Sequence, residues 1–105
     1  MSCSVETIPN FDRELKKLAK KYPSLKKEVI ELGNLLTDEP AKGAAIGKNC
    51  YKIRLSIKSK SGGAKAITCV ITVDERVLLL SVYDKSEKAN IPDKLLAQLL
   101  TDAGL

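Results

Sequence analysis

The spacing of apolar residues changes from helical to strand-like near residue 50, and this change restricts the folds that the chain can adopt. Between residues 11 and 36 apolar side chains recur every three or four positions, which predicts two amphipathic helices separated at Pro23, the second capped by Ser24. From residue 50 to residue 83 three apolar or alternating runs are separated by turn sequences, at "SKSGG" and at "DE". These runs predict three consecutive antiparallel strands.

The two ends of the chain complete the order of elements. "SVETIPN" predicts a short strand that Pro9 ends, with Asn10 as the N-cap of the first helix. Pro92 and the leucines after it predict a short C-terminal helix that ends near Gly104. We therefore expect an α+β fold in one domain, residues 1 to 105, with an N-terminal strand and a helical hairpin packed on an antiparallel sheet. The segment "GNLLTDEPAKGAAIGKN" between helix and sheet is predicted to be irregular after the helix ends.

The first of the three sheet strands carries positive charge on one face. Between residues 41 and 73 the chain holds seven basic and no acidic residues. Within this stretch apolar and polar side chains alternate along the strand, so one face is apolar and the other is cationic: Tyr51, Ile53, Leu55 and Ile57 against Lys52, Arg54, Ser56 and Lys58. Helices packed on the apolar face would leave the cations on the opposite face. They suit a polyanionic partner, or they only solubilise an open sheet face, and the pattern does not decide between the two.

A second basic block lies in the helical hairpin. Residues 13 to 27 contain seven basic residues and one acidic residue, Glu14. This block also suits nucleic acid or an acidic protein, although a solvated helix surface explains it equally well.

Several classes of site are excluded or disfavoured by composition. The chain has no histidine, which removes Ser-His triads and histidine-ligated zinc, and it has no phosphate-binding glycine motif. We expect no metal and no cofactor. The three cysteines form no close pair, so we expect reduced thiols, with Cys69 a small apolar core residue. The absence of a leader or a membrane-length apolar run leads us to expect a cytoplasmic protein.

Three segments in a fixed order resemble a known family over nearly the whole chain. They are "FDRELKKLAKKYPSLKKEV", "CYKIRLSIKSKSGGAK" and "LLLSVYDKSEKANIPDKLL", and together they resemble the RelE/ParE toxins of type II toxin–antitoxin modules. The resemblance implies a RelE-like fold, similar to that of small microbial ribonucleases. The RelE branch implies a metal-independent endoribonuclease that cleaves mRNA on the ribosome and inhibits translation. The implied partners are the ribosome, mRNA and a cognate antitoxin, held in a hetero-oligomer.

The resemblance also implies which side chains act. Four cations and one phenol correspond to catalytic positions: Lys52, Arg54, Lys65, Lys85 and Tyr83. Three further lysines correspond to RNA-binding positions: Lys48, Lys58 and Lys60. Because clustered cations lower one another's pKa, a lysine such as Lys52 becomes a conceivable base.

Two positions depart from the family pattern. Lys65 stands where arginine is more frequent, so bidentate phosphate binding is lost there. Ile91 stands where the closest ribonuclease members have a functional tyrosine, and Tyr83 is the nearby phenol that would replace it. The basic strand favours a ribonuclease, whereas Ile91 favours a degenerate member that binds antitoxin or RNA without cleavage. A ParE-like poison of DNA gyrase is a third alternative.

Overall fold

A five-stranded sheet forms the centre of the molecule. The computed structural model describes residues 3–55, 63–87 and 90–105. The strands lie in the order β1-β5-β4-β3-β2. In chain order the elements are β1 Ser4–Thr7, α1 Pro9–Lys21, α2 Leu25–Asp38, β2 Ala44–Gly47, β3 Cys50–Leu55, β4 Ala64–Ile71, β5 Arg76–Asp84 and α3 Asp93–Asp102. The predicted α+β class and the three-stranded meander are confirmed.

The sheet has one more strand than predicted at one edge, β2, and a parallel pairing at the other edge, between β1 and β5. β2 lies within the segment predicted to be irregular, and it pairs antiparallel with β3 through a turn at Lys48 and Asn49. Both residues have positive φ, 55° and 61°, which is the backbone of a tight two-residue hairpin. Three of the four β2 residues are exposed, so the strand carries no apolar alternation that a sequence pattern could reveal. At the other edge β1 runs parallel to β5.

The start of α1 differs from the predicted start. Pro9 is the first residue of the helix and Ile8 is its N-cap, so the prediction that Asn10 caps α1 is wrong. Proline is favoured there because its missing N–H would have no helical partner. Asn10 lies inside α1 instead, and its Nδ2 donates to the carbonyl oxygen of Leu80 at 3.0 Å.

β1 pairs with β5 only as far as Leu79, so α1 covers the edge of β5 beyond that point.

Helices cover both faces of the sheet. The fully buried residues Phe11, Leu25 and Leu36 place the main core between the helical hairpin and one face. α3 lies over the other face, because Leu100 of this helix lines a cavity with Cys69, and Leu96 lines one with Lys52. The expectation that all helices share one face therefore does not hold for α3, which covers the face that carries the cations. The apolar stripe in the sequence of α3 predicts that one side of the helix is buried, but it does not indicate which face of the sheet the helix covers.

Candidate functional site

Arg54 of β3 and Lys65 of β4 lie directly opposite each other in the sheet. The hydrogen bond from the Val70 N–H to the Asn49 carbonyl, 2.9 Å, sets the alternation of this ladder. It makes Arg54–Lys65 a pair without mutual backbone hydrogen bonds, the type in which Cα atoms approach to about 4.5 Å. Two cations in such a pair repel each other and destabilise the sheet.

Lys52 and Lys85 extend this pair into a cluster. Lys52 lies two residues before Arg54 on the same face of β3. Lys85 follows β5, and its N–H bonds to the Gly63 carbonyl at 3.0 Å, just before β4 begins. The pKa of Lys65 is lowered, first by partial burial and then by the charges of Lys52, Lys85 and Arg54. Four of the five predicted catalytic residues thus lie together, and we call Lys52, Arg54, Lys65 and Lys85 the cationic cluster.

No carboxylate forms an ion pair with the cationic cluster within residues 3–55, 63–87 and 90–105, although Asp93 lines the same cavity as Lys52. The three ion pairs found there join Lys21 to Asp84 and Arg76 to Glu6 and Asp74. The Nζ of Lys52 donates instead to a neutral acceptor, Oδ1 of Asn90, at 2.7 Å. The cluster is therefore a concentration of positive charge that an external anion can neutralise.

The Lys52 end of the cluster borders a cavity of ≈ 180 Å³ at the start of α3. Ile91 lines it and is only 8% exposed, so an alkyl group packs beside Lys52 where a tyrosine is expected. Asn90 and Asp93 also line this cavity. Sequence reasoning missed both residues, because they lie in the loop and first turn before an apolar stripe, where periodicity does not show which way a polar side chain points.

Tyr83 is paired in register with Lys65 and therefore lies on the same face of the sheet. Its side chain is buried, with 2% of the residue exposed, and burial raises the pKa of its phenol. Tyr83 lines a cavity of ≈ 300 Å³ with Lys17 and Lys21 of α1, and its burial keeps it from presenting an ionised oxygen to a ligand on the surface.

The predicted RNA-binding lysines do not join the cluster within the described residues. Lys48 lies in the β2–β3 turn, at the opposite end of β3 from Arg54, and lines a different cavity. Lys58 and Lys60 lie outside the described residues, as do Ser56 and Ile57, which were predicted to be in the strand, and Gly62, which was predicted to be in the turn.

One lysine of the helical hairpin has a structural partner. Lys21 Nζ and the Tyr22 hydroxyl both donate to Oδ2 of Asp84, at 2.7 and 2.8 Å. Asp84 is fully buried, and the hydrogen bond from Lys21 is the main cause that holds the pKa of its carboxyl far below its ordinary value. The other α1 lysines, Lys16, Lys17 and Lys20, are exposed. One lysine of the basic block in the hairpin, Lys21, therefore has a structural role, because it neutralises a buried carboxylate.

The fold is that of a known bacterial toxin. An arginine-to-alanine double mutant of Escherichia coli toxin RelE in the free state superposes with a TM-score of 0.60 at 22% identity, covering 85% of this chain and 90% of that chain. The chain has the RelE fold. The intact RelBE toxin–antitoxin complex from Escherichia coli also matches, at 25% identity and a TM-score of 0.49, over 78% of this chain and 94% of that chain. No protein-family model and no curated protein sequence matches the chain.

Membrane insertion by a helix finds no support in the three described ranges. None of their helices combines the length and the apolar character that crossing a bilayer requires.

Proposed function

We propose that this protein is the toxin of a type II toxin–antitoxin module and cleaves mRNA on the ribosome as a metal-independent endoribonuclease. The observation that supports this most is the cationic cluster: four cations on one surface of a RelE fold, with no ion pair to a carboxylate among the described residues. A cluster that only solubilised the sheet would gain from interspersed carboxylates, which would remove the repulsion between Arg54 and Lys65.

The cluster suits the charge that develops during RNA cleavage. Attack of a ribose 2′-hydroxyl on the adjacent phosphate gives a phosphorane with additional negative charge, and fixed cations stabilise that charge. Arg54 can donate two parallel hydrogen bonds to phosphate oxygens, whereas Lys52 supplies a point charge held at 2.7 Å from Asn90.

Lys65 is the residue to which we assign proton transfer. Its pKa is lowered by partial burial and by the neighbouring cations, so a larger fraction of its amine is neutral than in an isolated lysine. A neutral amine can accept the proton of the 2′-hydroxyl as its oxygen bonds to phosphorus. The P–O5′ bond then breaks, and the leaving oxygen takes a proton from water or from a protonated lysine of the cationic cluster. The cluster chemistry first suggested for Lys52 is thus assigned to the lysine opposite Arg54.

The lack of an exposed phenol beside Lys52 among the described residues supports dependence on the ribosome. Tyr83 is buried and Ile91 is an alkyl group, so neither presents a phenol beside Lys52. Cations alone stabilise the transition state but do not align the 2′-hydroxyl with the leaving oxygen. An mRNA held on the ribosome supplies that alignment, and orientation contributes a large share of catalysis.

An antitoxin with an acidic segment would neutralise the cluster. We infer that its carboxylates meet Lys52, Arg54 or the exposed lysines between residues 16 and 27, and that the segment lies over them as a helix or a strand. Opposite charges chiefly accelerate encounter, so association should slow as salt rises.

Binding of RNA or antitoxin without cleavage is the second candidate, and Ile91 and Tyr83 favour it. A chain with Ile91 beside Lys52 and with Tyr83 buried retains anion binding but presents neither of these positions as an exposed phenol for proton transfer.

Primer extension on a translated message tests the proposal. We expect purified protein to produce discrete cuts in mRNA on translating ribosomes, and none in the same mRNA without ribosomes. Expression alone should stop growth, and co-expression of the cognate antitoxin should restore it. Ribosome binding without cuts would favour the binding-only candidate. Growth arrest with intact mRNA and inhibited DNA supercoiling would favour the gyrase alternative.

A further inference from the structure

Two cysteines that are far apart in sequence face each other across the sheet. Cys50 of β3 and Cys69 of β4 are partners in register. The same hydrogen bond from Val70 to Asn49 makes this pair, like Arg54–Lys65, one without mutual backbone hydrogen bonds. In such pairs Cα atoms lie about 4.5 Å apart, within the range that a disulfide spans.

The two sulfur atoms lie near the same backbone oxygen. The Cys50 sulfur lies 3.5 Å from the Lys48 carbonyl oxygen, and the Cys69 sulfur lies 3.9 Å from the same oxygen. Both cysteines are free thiols in this structure, so the arrangement is a preformed dithiol. The third cysteine, Cys3, precedes β1, and β5 lies between β1 and the strand of Cys69.

One of the two cysteines, Cys69, borders an open cavity, although only 4% of the residue is exposed. Cys69 lines an open cavity of ≈ 490 Å³ between the end of β4 and α3, together with Lys48 and Leu100. Cys50 does not line this cavity and is only 1% exposed. Hydrogen bonding with the Cys50 thiol lowers the pKa of Cys69, which favours the thiolate at the sulfur that borders the cavity.

We propose that Cys50 and Cys69 form a reversible oxidation site that reacts with hydroperoxides small enough to enter this cavity. The Cys69 thiolate attacks a peroxide oxygen, the O–O bond breaks, and the leaving oxygen takes a proton and departs as water or alcohol. The Cys69 sulfenic acid is then attacked by the Cys50 sulfur, the S–O bond breaks, and water leaves with the Cys50 proton. Two thiols lose two electrons and two protons, and the peroxide is reduced. A dithiol restores the pair by exchange.

Intact-mass spectrometry of the folded protein treated with hydrogen peroxide tests this site. We use the Cys3→Ser variant, so that only two thiols remain. We expect a single monomeric product that has lost two hydrogen atoms, resists alkylation after denaturation, and recovers both alkylation sites after treatment with dithiothreitol. Peptide mapping should show residues 50 and 69 joined. The measurement is covalent, so it stands whether or not the protein cleaves RNA.

Two controls separate a built site from incidental oxidation. The Cys50→Ser variant, in the same background, should retain a Cys69 sulfenic acid that dimedone traps. The Cys3→Ser protein unfolded in urea should form its internal disulfide at least tenfold more slowly. Intermolecular dimers, sulfinic acid at Cys69 beside an intact Cys50 thiol, equal rates in the folded and unfolded chain, or no reaction would each overturn the proposal.

Discussion

Asp84 and Lys85 are consecutive residues whose charges have opposite surroundings. At the end of β5 successive side chains point to opposite faces of the sheet. Asp84 is buried towards the helical hairpin, where Lys21, the Tyr22 hydroxyl and the Ser86 N–H all donate to it. Lys85 lies towards the other face, beside Arg54 and Lys65. One face therefore neutralises its charge internally, and the other accumulates charge of one sign.

The two lysines that best represent these faces have opposite pKa shifts. Hydrogen bonding to Asp84 raises the pKa of Lys21. Partial burial and three neighbouring cations lower the pKa of Lys65. Charge on the first face stabilises the native state, whereas charge on the second costs stability that an external anion would recover. A surface that costs stability in the free protein is typical of a binding or catalytic site.

The largest effect should come from removing two cations of the cluster. In the Lys52→Gln, Arg54→Gln double variant we expect mRNA cleavage on ribosomes to fall by about 10⁴-fold or more, since each transition-state contact contributes roughly 10² to 10³. Arg54 is exposed and Lys52 half-buried, so the fold should stay intact, and the thermal unfolding temperature should not fall, because the repulsion of Lys65 by these two cations is removed. Primer extension and circular dichroism measure the two results.

A matched control comes from the other face. The Lys16→Gln, Lys20→Gln variant removes the same charge from exposed positions of α1 and should retain cleavage within about tenfold, because these lysines supply only long-range attraction. Equal loss in both double variants would show that total charge matters, and that the cluster is a solvated surface.

The buried carboxylate should carry the largest stability effect. Asp84→Asn leaves a neutral amide where three donors meet a carboxylate, and we expect a loss of about 2 to 3 kcal/mol in the free energy of unfolding, as for hydrogen bonds to a charged group. The native-state pKa of Asp84 is lowered, so its contribution is complete above the ordinary carboxyl pKa of 3.8 and is lost as pH falls below it. Urea unfolding at several pH values measures this.

An exposed carboxylate provides the comparison for Asp84. Asp74 lies 3.7 Å from Arg76 with 56% of its side chain exposed, so Asp74→Asn should change stability by less than about 0.5 kcal/mol at any pH. If Asp84→Asn were equally mild, the hairpin lysines would be a solvated surface on that face too.

Sequence patterns predicted the two faces unequally. The alternation in "CYKIRL" placed Lys52 and Arg54 on one face of a strand, because a strand repeats every two residues. The register that sets Lys65 opposite Arg54 depends on how β3 pairs with β4, which periodicity does not give, and the partner of Lys21 lies 63 residues away. A buried carboxylate of this kind has no local signature, since "VYDKS" reads as the end of a strand. The opposed cysteines were missed for the same reason: their spacing has meaning only once the register is known.

Gly43 packs closely against β3 at Lys52, which belongs to the cationic cluster. Gly43 has φ +103°, and a Cβ there would lie 2.5 Å from the Lys52 carbonyl oxygen and 2.7 Å from Ile53. We expect Gly43→Ala to destabilise the protein by about 1 kcal/mol or more, from backbone strain and this clash, and to reduce cleavage by displacing Lys52. Gly33→Ala, inside α2 with open space around it, should instead stabilise by about 0.5 to 1 kcal/mol. Equal effects at the two positions in urea unfolding would show that the loop does not support β3.

The smallest expected effect has the opposite sign and tests the comparison most directly. Lys65→Glu places a carboxylate opposite Arg54, which replaces a repulsive cross-strand pair with an attractive one. We expect the unfolding temperature to rise by about 1 to 5 °C while cleavage is lost. The charges around residue 65 would then be neutralised within the protein, as the charge of Asp84 is. Lys65→Gln, which removes repulsion without adding attraction, should fall between the wild type and Lys65→Glu in unfolding temperature. The lowered pKa of Lys65 means that wild-type stability should rise as pH approaches 10.5, and both variants should lose this rise. A lower unfolding temperature for Lys65→Glu would mean that the cations do not strain the free protein, and the argument that they are held for an external anion would fail.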